Sequence, residues 1–233
     1  AKTARIRLIA RDIVQVPAAR LWRALLAVVA GAAAVSGFSP AGLPWLTSAC
    51  LGVLFIVWLR TPTPRESAMN GFLFGLGLFG GGASWVYVSL HQFGMMPAPL
   101  AAAATAFFCV YLALFPALAG SLQARLDATP FVRAVLLAPA LWVLAEWMRS
   151  WLLSGFPWLA MGYSQIETPY AGYAPVLGVY GVSLALAISS GSVAAACMPG
   201  RLPRRLGYLV IAVALMGAGA LLRSIDWVDA QGK

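Results

Sequence analysis

The sequence predicts an all-α, polytopic integral membrane protein, a bundle of about seven transmembrane helices. Three observations carry that expectation. The 233 residues are 61% hydrophobic and only 10% charged, with a mean hydropathy of +0.84; a water-soluble surface cannot be built from so little polar material. The apolar residues fall into seven runs, each near the ~20 residues needed to cross ~30 Å of hydrocarbon. The charges fall between the runs, and almost all of them on alternate connections.

The expected spans are Leu21–Phe38, Leu43–Leu59, Ala68–Leu90, Leu100–Leu122, Phe131–Leu153, Val176–Met198 and Leu206–Leu222. These runs are too long and too continuously apolar for the alternating strands of an outer-membrane barrel. They divide the chain into a basic N-terminal segment (1–20), a transmembrane domain (21–222) and a short tail (223–233). The N-terminal segment carries Lys2, Arg5, Arg7, Arg11, Arg20 and Arg23. It resembles the basic region of a signal peptide, and Ala32-Ala33-Ala34 resembles a cleavage site. Six further apolar runs favour an uncleaved first helix.

The net charge of +9 raises a nucleic-acid reading, which the placement of the charges excludes. Placing the N-terminus inside puts Arg60, Arg65, Arg125, Arg133, Arg201, Arg204 and Arg205 on the same side as its six basic residues. Arg149, Arg223 and Lys233 are left outside, three of the sixteen. That asymmetry is the positive-inside pattern. It orients the N-terminus to the cytoplasm and the C-terminal end to the outer side of the membrane.

The third run, NGFLFGLGLFGGGASWVYVSL, has Gly71 and Gly75 four apart and Gly77 and Gly81 likewise. Small residues at this spacing let helices approach closely inside a membrane. No basic residue follows the glycines, so they are not a phosphate-binding loop. Cys50 and Cys109 fall in mid-span and Cys197 toward the inner end of the sixth run. These cysteines and the lone His91 make no metal or catalytic constellation. No metal, cofactor or nucleophile is expected.

The stretch Pro139–Ile166, PALWVLAEWMRSWLLSGFPWLAMGYSQI, is the candidate site. Glu146 and Arg149 lie three apart on one helical face, where they can pair. A charge in a membrane span is costly, about 2.5–3.5 kcal/mol on insertion scales, and usually faces the bundle interior. The run that follows is rich in aromatic residues and broken by Pro157, Pro169 and Pro175. From Phe156 to Gln165 it is expected to lie along the headgroup layer as the rim of a lipid entry site. The candidate lipid- or substrate-binding residues are Glu146, Arg149, Phe156, Pro157, Trp158, Tyr163 and Gln165, with Trp85 and Tyr87 at the outer end of the third span.

GFLFGLGLFGGGASWVYVSLHQFGMMPAP and the stretch from Pro139 to Gly181, with its GFPW and GYSQ runs and the later LLRSIDW, resemble the membrane region of bacterial apolipoprotein N-acyltransferase. The resemblance spans nearly the whole chain. It implies transfer of an acyl chain from a phospholipid donor to the N-terminal amine of a diacylglyceryl-cysteine lipoprotein. In that family a nitrilase-like outer domain supplies a Glu–Lys–Cys triad, with the Cys as acyl carrier. No residue here matches a triad member, and the chain stops where that domain would begin. The expectation is therefore a membrane platform with no catalytic residue of its own, inactive alone unless a missing outer domain joins it. The alternatives are a small transporter or channel with Glu146 and Arg149 in its pathway, or an inert truncated fragment.

Overall fold

The computed structural model describes residues 2–61 and 63–227, with side chains from residue 18 onward, so the side chains of most of the basic N-terminal segment and the tail beyond Trp227 lie outside the described residues. No strand occurs among the described residues. In chain order the helices are α1 (Lys2–Ala34), α2 (Pro44–Leu59), α3 (Pro64–Gly82), α4 (Trp85–Phe93), α5 (Ala98–Arg125), α6 (Pro130–Arg149), α7 (Ala174–Ala196) and α8 (Leu202–Arg223).

The count of spans differs from the expected seven. Five segments are long and apolar enough to cross a membrane, and α3 with α4 would make a sixth as one bent span. Helix α2 has 16 residues, or about 24 Å at 1.5 Å each, short of the hydrocarbon thickness. The third expected span is broken: α4 departs from α3 by 48°. Gly80, Gly81 and Gly82 precede the break, and each glycine weakens a helix by roughly 1 kcal/mol relative to alanine. Gly82 also makes room for a neighbour, since a Cβ there would meet Leu159 Cδ2 at 2.8 Å.

The glycine pairs do what their spacing predicts. Gly71 and Gly75 face α5, where a Cβ on Gly75 would meet Ala113 Cα at 2.8 Å. Gly77 faces the backbone of α1 at Val28 and Ala32, and Gly81 meets Val35. Helix α3 is thus clasped on both sides by close backbone contact, the form of association that works where lipid offers no hydrophobic contrast. Behind it sits an aromatic core: Trp58 stacks on Phe55 at 5.6 Å between ring centroids, and Trp142 meets Phe74 edge-on at 5.7 Å. The Trp58 indole donates to Ser67 O at 3.0 Å, which satisfies its one polar group.

Large apolar side chains such as Phe107, Leu114, Val210 and Val213 remain on the outside. On a water-soluble protein they would be an extensive exposed patch; on this bundle they are the lipid-facing surface. The connections that carry arginine meet at one end. There Arg20 and Arg23 reach Glu66, at 2.8 and 3.3 Å, and Arg23 also donates to Arg60 O at 3.1 Å. The aromatic connection 150–173 leaves the opposite end of α6.

Candidate functional site

The site begins on the last two turns of α6. Trp142, Glu146 and Arg149 recur at helical spacing and are all buried. Beyond Arg149 the chain reverses through three residues in the left-handed region, Leu153, Ser154 and Gly155, with φ of 51°, 77° and 74°. Two of the three are not glycine, and such residues cost on the order of 1–3 kcal/mol each unless their surroundings hold them. The reversal brings Phe156 back alongside the helix end, where its N–H donates to Arg149 O at 2.8 Å.

The two buried charges hold the returning loop. The Arg149 guanidinium donates to the carbonyls of Phe156 and Trp158, the latter at 2.6 Å, and lies 5.1 Å from the centre of the Phe79 ring. Glu146 Oε1 accepts from the Trp142 indole N–H at 2.9 Å and from the Met161 N–H at 2.8 Å. Gly162 N–H donates to Ser183 Oγ at 2.8 Å, so α7 holds the next residue. Between these attachments Leu159 takes a left-handed φ of 61° and turns its side chain into the space that Gly82 leaves free.

This corrects the expected ion pair. Among the described residues the salt bridges are those of Arg20 and Arg23 with Glu66; Glu146 and Arg149 are not in direct contact. Arg149 is spent on two loop carbonyls, and Glu146 Oε1 on the Met161 N–H and the Trp142 indole, while Glu146 Oε2 is buried without a hydrogen-bond partner among the described residues. A reversal of this kind strands carbonyls and N–H groups away from water, and those must be satisfied. The run expected to lie along the surface is largely packed against protein. Phe156, Leu159, Ala160, Met161, Ser164 and Gln165 are buried, while Trp158 and Tyr163 are exposed.

The candidate residues separate into groups. Trp85, Phe156 and Trp158 come together: Phe156 stacks on Trp158 at 5.5 Å and on Trp85 at 6.4 Å, and Trp85 meets Trp158 at 6.3 Å. Phe156 is the buried base of this cluster, and Trp85 and Trp158 are open at 46% and 57%. Pro157 lies between the two aromatic residues, half-buried. Tyr87 is apart, stacked on His91 at 5.5 Å. Gln165 is inward, donating to Pro44 O at 3.1 Å and tying the loop to the start of α2. Sequence reasoning missed Phe79, Phe108, Trp142 and Ser183. Trp142 had a signal, standing four residues before Glu146; Phe108, which meets Phe156 edge-on at 5.0 Å, had none.

The void beside Glu146 and Arg149 is about 10 Å³ and is lined by Phe79, Phe115, Trp142 and Leu159. That is room for no more than one water, and the hydrogen bonds of both residues go to the loop and to Trp142. Cys50 and Cys109 are buried, and Cys197 is exposed at the end of α7. No group of three His, Cys, Asp or Glu among the described residues could hold a metal ion.

A polytopic helical bundle, with an aromatic loop latched from below at one end, places the chain among multi-pass membrane proteins. The chain belongs to the apolipoprotein N-acyltransferase family: residues 30–192 match the model of the apolipoprotein N-acyltransferase N-terminal domain. An apolipoprotein N-acyltransferase of Nitrosomonas europaea is 43% identical over 213 residues, covering 91% of this chain and 42% of the relative. One of Methylococcus capsulatus is 43% identical over 209 residues, covering 89% and 41%, and one of Coxiella burnetii is 40% identical over 208 residues, covering 87% and 42%. The chain thus spans about two fifths of the length of the curated relatives it matches.

Proposed function

We propose that this chain is the membrane platform of an apolipoprotein N-acyltransferase, acting in lipoprotein maturation at the bacterial inner membrane with its N-terminus in the cytoplasm. In the reaction, the ester bond between an acyl chain and the glycerol of a phospholipid breaks. An amide bond forms between that acyl group and the N-terminal amine of a diacylglyceryl-cysteine lipoprotein, and the amine's proton goes to the freed glycerol oxygen. A nitrilase-like domain on the outer side carries the covalent chemistry. The platform brings two lipid-anchored substrates to it, and holding reactants in register can lower a barrier by several kcal/mol without a bond being touched. The 233 residues alone are inactive in acyl transfer.

The observation that supports this reading best is the Trp85–Phe156–Trp158 cluster. Two amphipathic indoles stand open over a buried ring at the end of the bundle, as residues at a membrane–water interface do, and Arg149 and Glu146 fix the backbone that presents them. Glu146, Arg149 and Gln165 position the rim; Trp85, Trp158, Pro157 and Tyr163 contact lipid; Tyr87 flanks it. In a complete enzyme, Trp158→Ala should leave the melting temperature within about 2 °C, since the ring is more than half exposed. Turnover of a fluorescent lipopeptide acceptor should fall about tenfold or more. Unchanged turnover would remove the rim from the function.

A further inference from the structure

At the opposite end of the bundle lies a second built feature, which the acyl-transfer reading does not use. A cleft of about 500 Å³ opens between the start of α6 and the first turns of α8, lined by Thr129, Pro130, Phe131, Arg204, Tyr208 and Ile211, with Gly207 at its edge. Its volume is that of a ligand site. The floor is apolar: Phe131 and Tyr208 stack at 5.9 Å, with Tyr208 buried. Arg204 is the charged residue of the lining and has no side-chain hydrogen bond or ion pair among the described residues.

The neighbouring arginines are differently employed. Arg205 Nε donates to Ala196 O at 2.7 Å, closing the end of α7, and Arg133 donates to Leu126 O at 3.4 Å while its buried Nε has no partner. Arg125 and Arg201 belong to the same two connections, and Asp127 is their one acidic residue. The ground is strongly positive, the guanidinium in the lining is uncommitted, and the Phe131 ring of the floor is itself open at the surface. An occupant must therefore offer an anion to Arg204 and hydrocarbon to the floor.

We propose that this cleft seats an anionic phospholipid of the leaflet that the basic end of the bundle faces. Its phosphate meets Arg204, a guanidinium being suited to fork onto phosphate oxygens. The glycerol and upper acyl chain lie over Phe131, Tyr208 and Ile211. Basic recesses between spans are the usual seats of such headgroups.

The test is native mass spectrometry of the delipidated full chain titrated with phosphatidylglycerol or phosphatidylcholine. One phosphatidylglycerol should bind in preference to phosphatidylcholine. Arg204→Gln should weaken it about tenfold, the factor for one lost charge-assisted contact, while Arg65→Gln, exposed at the same end, should leave it within twofold. Gly207→Leu keeps every charge, and a Cβ at Gly207 meets no atom within 4 Å. By filling the cleft it should weaken binding as much as Arg204→Gln. Inorganic phosphate at millimolar concentration should not compete. Equal losses in Arg204→Gln and Arg65→Gln would reduce the effect to diffuse attraction and overturn the proposal. Full binding by Gly207→Leu, or competition by phosphate alone, would overturn it as well.

Discussion

Removing Arg149 tests what the two buried charges are for. In Arg149→Leu, the carbonyls of Phe156 and Trp158 lose their donor, the first in a buried place and the second in a partly buried one, beside Phe79, Phe115 and Leu159. A stranded buried carbonyl costs about 1–3 kcal/mol, so the change should destabilise the bundle by roughly 2–6 kcal/mol. Were Glu146 and Arg149 a simple ion pair, the double change Glu146→Leu/Arg149→Leu would be much milder than the single, since no charge is then stranded. The geometry says otherwise: Glu146→Leu additionally strands the Trp142 indole and the Met161 N–H. The double variant should therefore be at least as unstable as Arg149→Leu. Glu146→Gln, which keeps the accepting oxygen, should cost only about 1 kcal/mol. Steric trapping in bicelles gives these free energies directly. A double variant more stable than Arg149→Leu would refute the view that the loop, and not the partner charge, is what each residue holds.

Three further outcomes are expected. Gly75→Leu should cost about 1–3 kcal/mol through overpacking against Ala113, while Gly80→Leu, with nothing within 4 Å of its Cβ, should fold normally; thermal unfolding in detergent compares the two. In a background without native cysteines, single cysteines at Arg65, Arg125 and Arg204 should resist an impermeant thiol reagent added to spheroplasts, and cysteines at Gln92 and Thr168 should react; the reverse would invert the bundle. Incubated with labelled phospholipid, the 233-residue chain should take up no hydroxylamine-sensitive acyl group, and a stoichiometric thioester at Cys50, Cys109 or Cys197 would contradict the platform reading.

How much of this could be read in the sequence depends on the range of the interaction. The apolar runs and the glycine spacing are local or periodic signals, and α3 packs on α5 and α1 as its glycines predict. The bend after Gly82 is foreshadowed by three consecutive glycines, but the side chain that packs against Gly82 is Leu159, nearly eighty residues later. The site was half legible. Spacing put Glu146 and Arg149 on one helix face, correctly, yet spacing alone makes neighbours look like partners. What redirects them is the reversal at Leu153–Gly155, and two of its three left-handed positions are occupied by residues that give no sign of it.

The choice of charges to hold this loop follows from its backbone. A chain that doubles back inside a span has carbonyls and N–H groups that neither helix nor water can satisfy, and irregular backbone is tolerated at that depth only where protein supplies the partners. Arginine offers five donors in a rigid plane, enough to hold Phe156 and Trp158 together from below. Glutamate offers an acceptor that Trp142 and Met161 share. Each group alone would be expensive to bury, and each is held by the hydrogen bonds it makes. Apolar packing could fill the same volume but could not fix the direction of the carbonyls, and hence of the Trp158 indole they carry outward. The rigidity of the aromatic rim is therefore set inside the helix bundle. For that reason the rim should loosen when Arg149 is replaced, even though Arg149 itself is buried.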